Sequence, residues 1–184
     1  MKLCGIDYSL TCPAITVFEG DKFSHLNCQS YYLIDTPKYV KENGNFHGHQ
    51  MKPYSSPMER YENIATWALS IVENSNFVGI EDYSMGSRGK VFHIAENTAI
   101  LKYLLTKKGI PYRTYPPTQI KKFAIKGNAD KTLMYSAYIK DTRIDLRSMM
   151  EYKGTKVGSP VSDIVDSYFI TKYLYKDLEN SKNE

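Results

Sequence analysis

The chain has 184 residues, 42% hydrophobic and 24% charged, with a formal net charge of +4. That length supports one well-cored globular domain, residues 1–184, and is too short for two ordinary ones. The composition excludes a disordered chain. No apolar run approaches the roughly 20 residues that span a bilayer, so no membrane association is expected.

The opening "MKLCGIDYSL" has no long apolar stretch followed by a small-residue cleavage site, so secretion is not expected. Residues 2 to 8, 12 to 18 and roughly 22 to 34 are rich in β-branched, aromatic and aliphatic side chains and read as strands, with "EGD" at 19 to 21 as a hairpin turn. Cys4, Cys12 and Cys28 are odd in number and lie in or near these segments. They read as buried thiols of a reducing cytoplasm rather than as disulfides or zinc ligands. Residues 36 to 57 are polar and interrupted by prolines and glycines, which predicts a long insertion or mobile loop. A helix should start near Ser56-Pro57, because proline suits a first helical position.

From there the pattern alternates. "MERYENIATWALSIVEN" has helical spacing, with Tyr61, Ile64, Ala65, Ala68, Leu69 and Val72 on its apolar side. "FVGIEDYS" is a short buried strand, "VFHIAENTAILKYLLTKKG" a helix closed by lysines and Gly109, and "IPYRTY" another strand. "PPTQIKKFAIKG", "ADKTLMYSAYIKD" and "SPVSDIVDSYFITKYL" are three further helices, and "KDLENSKNE" is a frayed tail. The expectation is an α/β fold. A mixed five-stranded sheet, three antiparallel strands followed by parallel βα units, is flanked by helices.

Charge is uneven along the chain. Between 107 and 131 stand Lys107, Lys108, Arg113, Lys121, Lys122, Lys126 and Lys131, opposed by Asp130 alone. Such a block is often a solvated helix face, and it is also what a phosphate-binding surface requires.

The acids carry the chemistry. The last helix is apolar on nearly every side, yet Asp163 and Asp166 lie three residues apart in its most apolar part. A cap at Ser159-Pro160 or Ser162, with acids favoured by the helix dipole, would explain them structurally. Asp7 stands in a strand otherwise made for burial, and Glu81 ends another. An unpaired buried carboxylate costs several kcal/mol, so such groups are usually paired or bound to metal. Basic partners are scarce, since the first strand offers only Lys2 at its outer end and "FVGIE" offers none. Four carboxylates from three distant segments suit Mg²⁺ or Mn²⁺ rather than zinc.

"GIDYS", "GIED", "PPTQIKKFAIKGNADK" and "SDIVD", in this order and spacing, resemble the RuvC group of Holliday-junction resolvases within the RNase H-like nuclease superfamily. The resemblance runs over nearly the whole chain. It implies that Asp7 and Glu81 are the strand acids of a catalytic metal site and that Asp163 and Asp166 are its helix acids. Two Mg²⁺ ions would be bound, with Mn²⁺ able to substitute, and nicks would carry 5′-phosphate and 3′-hydroxyl ends. It further implies phosphate contacts at Lys121 and Lys131, with Lys122 a backbone contact, and branched DNA such as a four-way junction as partner. A homodimer would be built on the helix at about 92 to 107, where Ile94, Ile100, Leu101, Leu104 and Leu105 are apolar. Gly127 would bring two helices together at a turn. The setting would be the cytoplasm of a bacterium or a phage-infected host. This chain departs from the family in the insertion and after the second acid, where Tyr83 and Met85 are the candidates to hold unstacked bases. His47 and His49 in the insertion read as loop or DNA contacts rather than metal ligands.

Competing readings remain. Actin-like ATPases share the first strand but need a second domain to enclose ATP, and no glycine-rich phosphate loop follows the strand. A non-catalytic branched-DNA-binding protein of this fold would be expected to lack one of the acids. An RNase H-like nuclease acting on flaps, forks or RNA–DNA hybrids is the closest alternative.

Overall fold

The structure is a computed structural model and describes residues 1–82 and 91–181. Its centre is a mixed sheet of seven strands, in the order β4-β5-β3-β2-β1-β6-β7. Strands β1 (Lys2–Asp7), β2 (Ala14–Glu19) and β3 (Cys28–Ile34) form the expected antiparallel meander. Strands β6 (Phe77–Glu81) and β7 (Tyr112–Tyr115) add to β1 in parallel. The expected five strands are present.

The other two come from the segment expected to be a loop. β4 (Glu42–Asn43) and β5 (Phe46–Gln50) form a small hairpin, and β5 pairs in parallel with β3. Polar composition hid it, because only alternate residues of β5 face the core. Phe46 is buried there, while His47 and His49 lie on the other face against Tyr31. His49 accepts a 2.8 Å hydrogen bond from the Trp67 indole, and His47 bridges Glu42 and Gln29. Both histidines therefore serve the sheet. At Gly48 the Tyr32 hydroxyl would stand 2.6 Å from an added Cβ, so the tight packing of Tyr32 against the Tyr39 segment requires glycine.

Helices cover both faces. α1 (Pro57–Val72) and α2 (Val91–Lys107) pack on one, with Ile64, Ala68, Leu101 and Leu105 against Cys4, Ile6, Val78 and Ile80. Ser56 caps α1 by accepting from the Glu59 amide at 3.2 Å, with Pro57 at the first position, as the sequence predicts. α3 (Pro117–Ala124), α4 (Lys131–Thr142), a short α5 (Leu146–Met149) and the long α6 (Val161–Asn180) lie on the other side. Asp130 caps α4 through the Leu133 amide at 2.8 Å.

α6 sets the site. Side chains alternate along a strand, so Leu3, Gly5 and Asp7 of β1 face α6 while Cys4 and Ile6 face α1 and α2. The same alternation in β6 points Gly79 and Glu81 toward α6. Gly5 and Gly79 are register partners. Their missing side chains form a trough in which the helix lies, with the Ser167 carbonyl 2.7 Å from where a Gly5 Cβ would stand and Ile170 3.2 Å from a Gly79 Cβ. Buried hydroxyls fix the helix further: Thr16 bonds Ser167 at 2.8 Å and Ser30 at 3.1 Å.

Candidate active site

Asp7 and Glu81 each follow a glycine by two residues, at the ends of the two central parallel strands, and so emerge together on the α6 side. α6 extends past those ends. Its first turns carry Asp163, which is 7% exposed, and Asp166. No side chain caps this helix. The capping role open to Ser159 or Ser162 is thus unused, and Ser162 donates instead to Asp163 at 3.2 Å.

All four carboxylates are raised first by burial, and three of them also by a neighbouring acid. Asp7 and Asp166 keep some surface at the rim, but their carboxyl groups are densely surrounded. Burial, reinforced by Asp163, Glu81 and Asp166, pushes Asp7 well above the usual carboxylate range. Burial and the Asp166 charge push Glu81 up to about 8. Burial and Asp163 push Asp166 up to about 7. Asp163 is also raised by burial, although hydrogen bonds from Ser159 and Ser162 and the charge of Lys131 oppose this. Such mutual repulsion marks a place where cationic charge is wanted.

Two lysines face this cluster. Lys121, half-buried on α3, acts on Glu81 and Asp166. Lys131, at the start of α4, acts on Asp7, Asp163 and Asp166. Its ammonium donates to Ser162 at 3.2 Å, so Lys131, Ser162 and Asp163 form a chain. Sequence reasoning missed this use of Ser162; its hydroxyl beside Asp163 was the available signal. Lys122 is exposed on the outer side of α3. Gly127 lies in the α3–α4 turn, but an added Cβ would make an ordinary 3.5 Å contact with the Thr118 carbonyl. The turn does not demand glycine, which corrects the expectation. Tyr83 and Met85 lie outside the described residues.

The donor set suits a hard divalent ion. Among the described residues no three His, Cys, Asp or Glu side chains form a group that could hold a metal ion. Mg²⁺ keeps several waters and takes one or two carboxylates together with substrate phosphate oxygens, so an all-oxygen set of acids fits it better than zinc, which favours nitrogen and sulfur ligands. All three cysteines are free and buried. Cys12 is close enough to bond Asp163, and burial raises its thiol far above the ordinary range, so it stays a neutral neighbour of the acids.

The proton balance gives a test of this cluster. In the fold Glu81 and Asp166 hold protons to about 8 and about 7. Unfolded, they release them near 4. Between those limits the native state binds more protons than the unfolded one, so raising the pH favours unfolding. In chelator, the melting temperature should fall by several degrees from about pH 5 to pH 8. Millimolar Mg²⁺ should restore it more at pH 8 than at pH 6. A melting temperature flat across this range, with or without Mg²⁺, would show that burial and the neighbouring acids do not raise these carboxyls.

Beside Asp7 and Glu81 a cleft of ≈ 680 Å³ opens away from α6, between the β1–β2 turn and the starts of α1 and α2. Nothing in the sequence singled it out, because its walls come from five separate segments.

The mixed sheet, with α6 lying across its central strands, is an RNase H-like fold of the kind found in RuvC. Among solved structures the chain is similar to RuvC of Thermus thermophilus, with a TM-score of 0.60 and 16% identity over 96% of each chain. It is similar to the same organism's RuvC in complex with a Holliday junction substrate, with a TM-score of 0.57 and 15% identity over 96% of each chain. The third is the Fowlpox virus resolvase, solved with substrate Holliday junction DNA, with a TM-score of 0.54 and 14% identity over 97% of this chain and 99% of that one. No family model and no curated protein sequence matches the chain.

Proposed function

We propose that this protein is a structure-selective endodeoxyribonuclease that resolves Holliday junctions by metal-dependent hydrolysis. The carrying observation is that acids from two adjacent strand ends and from the helix crossing them raise one another's affinity for protons. The similar solved structures that contain junction DNA support the choice of substrate. Asp7, Glu81, Asp163 and Asp166 would hold two Mg²⁺ ions. Bound there, the ions would activate the attacking water and stabilise the leaving 3′ oxygen, giving 5′-phosphate and 3′-hydroxyl ends. Lys121 and Lys131 flank the acids from α3 and α4 and would fix the phosphate on either side of the cut. Ser162 would keep Asp163 aimed while Lys131 engages DNA.

Paired nicks in a nearly two-fold-symmetric junction call for two sites related by a two-fold axis, hence a homodimer. Leu101 and Leu105, expected at that interface, are instead fully buried in the core. The outer face of α2 carries Phe92, 77% exposed, and Tyr103, 63% exposed, which lie on one stripe because 11 residues make just over three turns. That stripe is the surface for a second copy.

No helix among the described residues is long and apolar enough to cross a membrane. The buried free thiols fit a cytoplasmic setting.

The test is cleavage of labelled four-way, three-way, flap, linear and RNA–DNA substrates with cut sites mapped, alongside sedimentation of the protein. The four-way junction should be cut fastest, by symmetric nicks, and by a dimer. Lys121→Ala and Lys131→Ala should weaken all branched substrates alike and reduce the slope of log affinity against log salt by about one each. Equal cutting of linear duplex and junction would point instead to a general nuclease of this fold.

A further inference from the structure

Residues 36 to 57 are where the chain departs from the resemblance to RuvC, and the hairpin of β4 and β5 that they form is not free-standing. It is joined to residues 150 to 158, the segment that runs into α6. The Asn43 amide donates to the Met149 carbonyl at 3.0 Å, and Lys41 stands 4.0 Å from Glu151. A ladder of cations and rings links the same two segments. Lys38 Nζ lies 4.4 Å from the centre of the Tyr39 ring, and Tyr39 stacks on Tyr152 with centres 6.1 Å apart. The Arg147 guanidinium carbon is 5.7 Å from the Tyr152 centre. Arg147 also donates to the Gly154 carbonyl, and the Tyr152 hydroxyl donates to the Lys156 carbonyl at 3.1 Å, so the segment is folded around Tyr152. Each contact is modest, but together they hold two distant parts of the chain as one shoulder.

The strand register says where this shoulder stands. Asp7 pairs with Ala14, and Ala14 with Tyr32, so the residues after Ile34 lie just beyond the level of the acids. Tyr32, Tyr39 and Tyr152 all pack in the core on the α6 side of the sheet. The shoulder is therefore at the same end and on the same side as the acids. β3 and β5 are two and three strands from β1, which is roughly 10–15 Å at about 4.8 Å per strand. Lys38, Lys153 and Lys156 are exposed there, and among the described residues none of them is in an ion pair. The opposing charge is small. Glu151 is beside Lys41 and Glu42 is held by His47, which leaves Asp35.

We propose that this shoulder grips the phosphate backbone of a duplex arm leading away from the cut, about three to five base pairs from it at 3.4 Å per pair. This rests on the nuclease reading above. Lysines on a folded loop are point charges that suit phosphates, and no helix of the shoulder is placed to read base edges, so the grip carries no sequence preference. Lys121 and Lys131 act at the acids, whereas these three lysines act at a distance from them.

The experiment uses the full-length protein in the Asp7→Asn background, so that bound junctions stay whole. One variant carries Lys38→Ala, Lys153→Ala and Lys156→Ala together. A control carries Lys2→Ala, Lys22→Ala and Lys176→Ala, at the opposite end of the sheet. The shoulder variant should bind a four-way junction on the order of tenfold more weakly at physiological salt, and its slope of log affinity against log salt should fall by about two to three. The control should keep the slope. Neutral methylphosphonates at the third to fifth phosphates from the mapped cut, placed on one side at a time, should weaken binding of the intact shoulder on one side. They should cost the shoulder variant nothing further there. If the alanine variant melts below its parent, Lys→Gln at the same three positions, which keeps most of each stem, replaces it. An unchanged affinity and slope, or losses that add in full to those from the methylphosphonates on both sides, overturn the shoulder while the nuclease reading stands. A wild-type protein that neither prefers nor cuts a junction overturns both.

Discussion

Asp7→Asn should reduce junction cleavage on the order of a thousandfold or more while leaving DNA binding intact or tighter. Asp7 ends the central strand and is the carboxylate whose proton affinity burial and all three other acids raise. An amide keeps the shape but withholds the charge that would draw divalent ions to the phosphate, and that stabilisation is worth several kcal/mol, with every 1.36 kcal/mol a factor of ten in rate. Binding improves because one negative charge near the DNA is gone. Glu81→Gln, Asp163→Asn and Asp166→Asn should follow the same direction. The amide also resembles the protonated acid that the metal-free fold prefers, so Asp7→Asn should melt above the wild type in chelator at pH 8. Single-turnover cleavage, binding at fixed salt and thermal unfolding on the same preparation separate these effects. A fully active Asp7→Asn variant would remove the acids from the chemistry.

The second large effect concerns stability. Gly5→Ala should destabilise the protein by about 3 kcal/mol or more, through overpacking with no room to relax. An added methyl there runs into the Thr171 backbone nitrogen and the Ser167 carbonyl, and helix backbone cannot rotate aside as a side chain can. α6 would have to lift off the sheet and carry Asp163 and Asp166 away from Asp7. Surviving folded protein should therefore also lose cleavage. Gly79→Ala should cost less, since Ile170 and Tyr115 side chains at 3.2 Å can give. Gly127→Ala should be close to neutral and serves as the control. Denaturant unfolding of the three variants checks the ranking, and a Gly5→Ala protein as stable as Gly127→Ala would mean that α6 does not lie in this trough.

The sequence shows the outline of the fold because strong local signals agree with it. Ser56-Pro57 begins α1 as helix-start chemistry predicts, and the apolar runs at 2 to 8 and 77 to 81 are the central strands. The acids stood out for the same reason, as charge set in segments otherwise made for burial. What escaped reading depends on distant partners. Both central strands contain Gly-Ile followed by an acid, but that these triplets lie side by side in register is a tertiary fact. Leu101 and Leu105 look like interface residues until α1 and the sheet claim them. The hairpin at 42 to 50 is invisible because its few anchoring side chains, Phe46, His47 and His49, find their partners in Gln29, Tyr31 and Trp67 far along the chain. The cleft by Arg60 had no linear signature at all.

The way the sheet ends has a consequence for self-association. Open strand edges are templates on which copies of a protein can polymerise, and natural sheets blunt them. Here the outermost strand on one side is only two residues long, with Glu42 held by His47 and the Asn43 amide donating to the Met149 carbonyl at 3.0 Å. The opposite margin is four residues long, with Arg113 tied to Asp177 at 2.7 Å. Neither margin offers a second molecule a long, uncharged rail to extend. Growth into fibrils is discouraged at both ends, and a closed pairing of two copies is left to the helical surfaces.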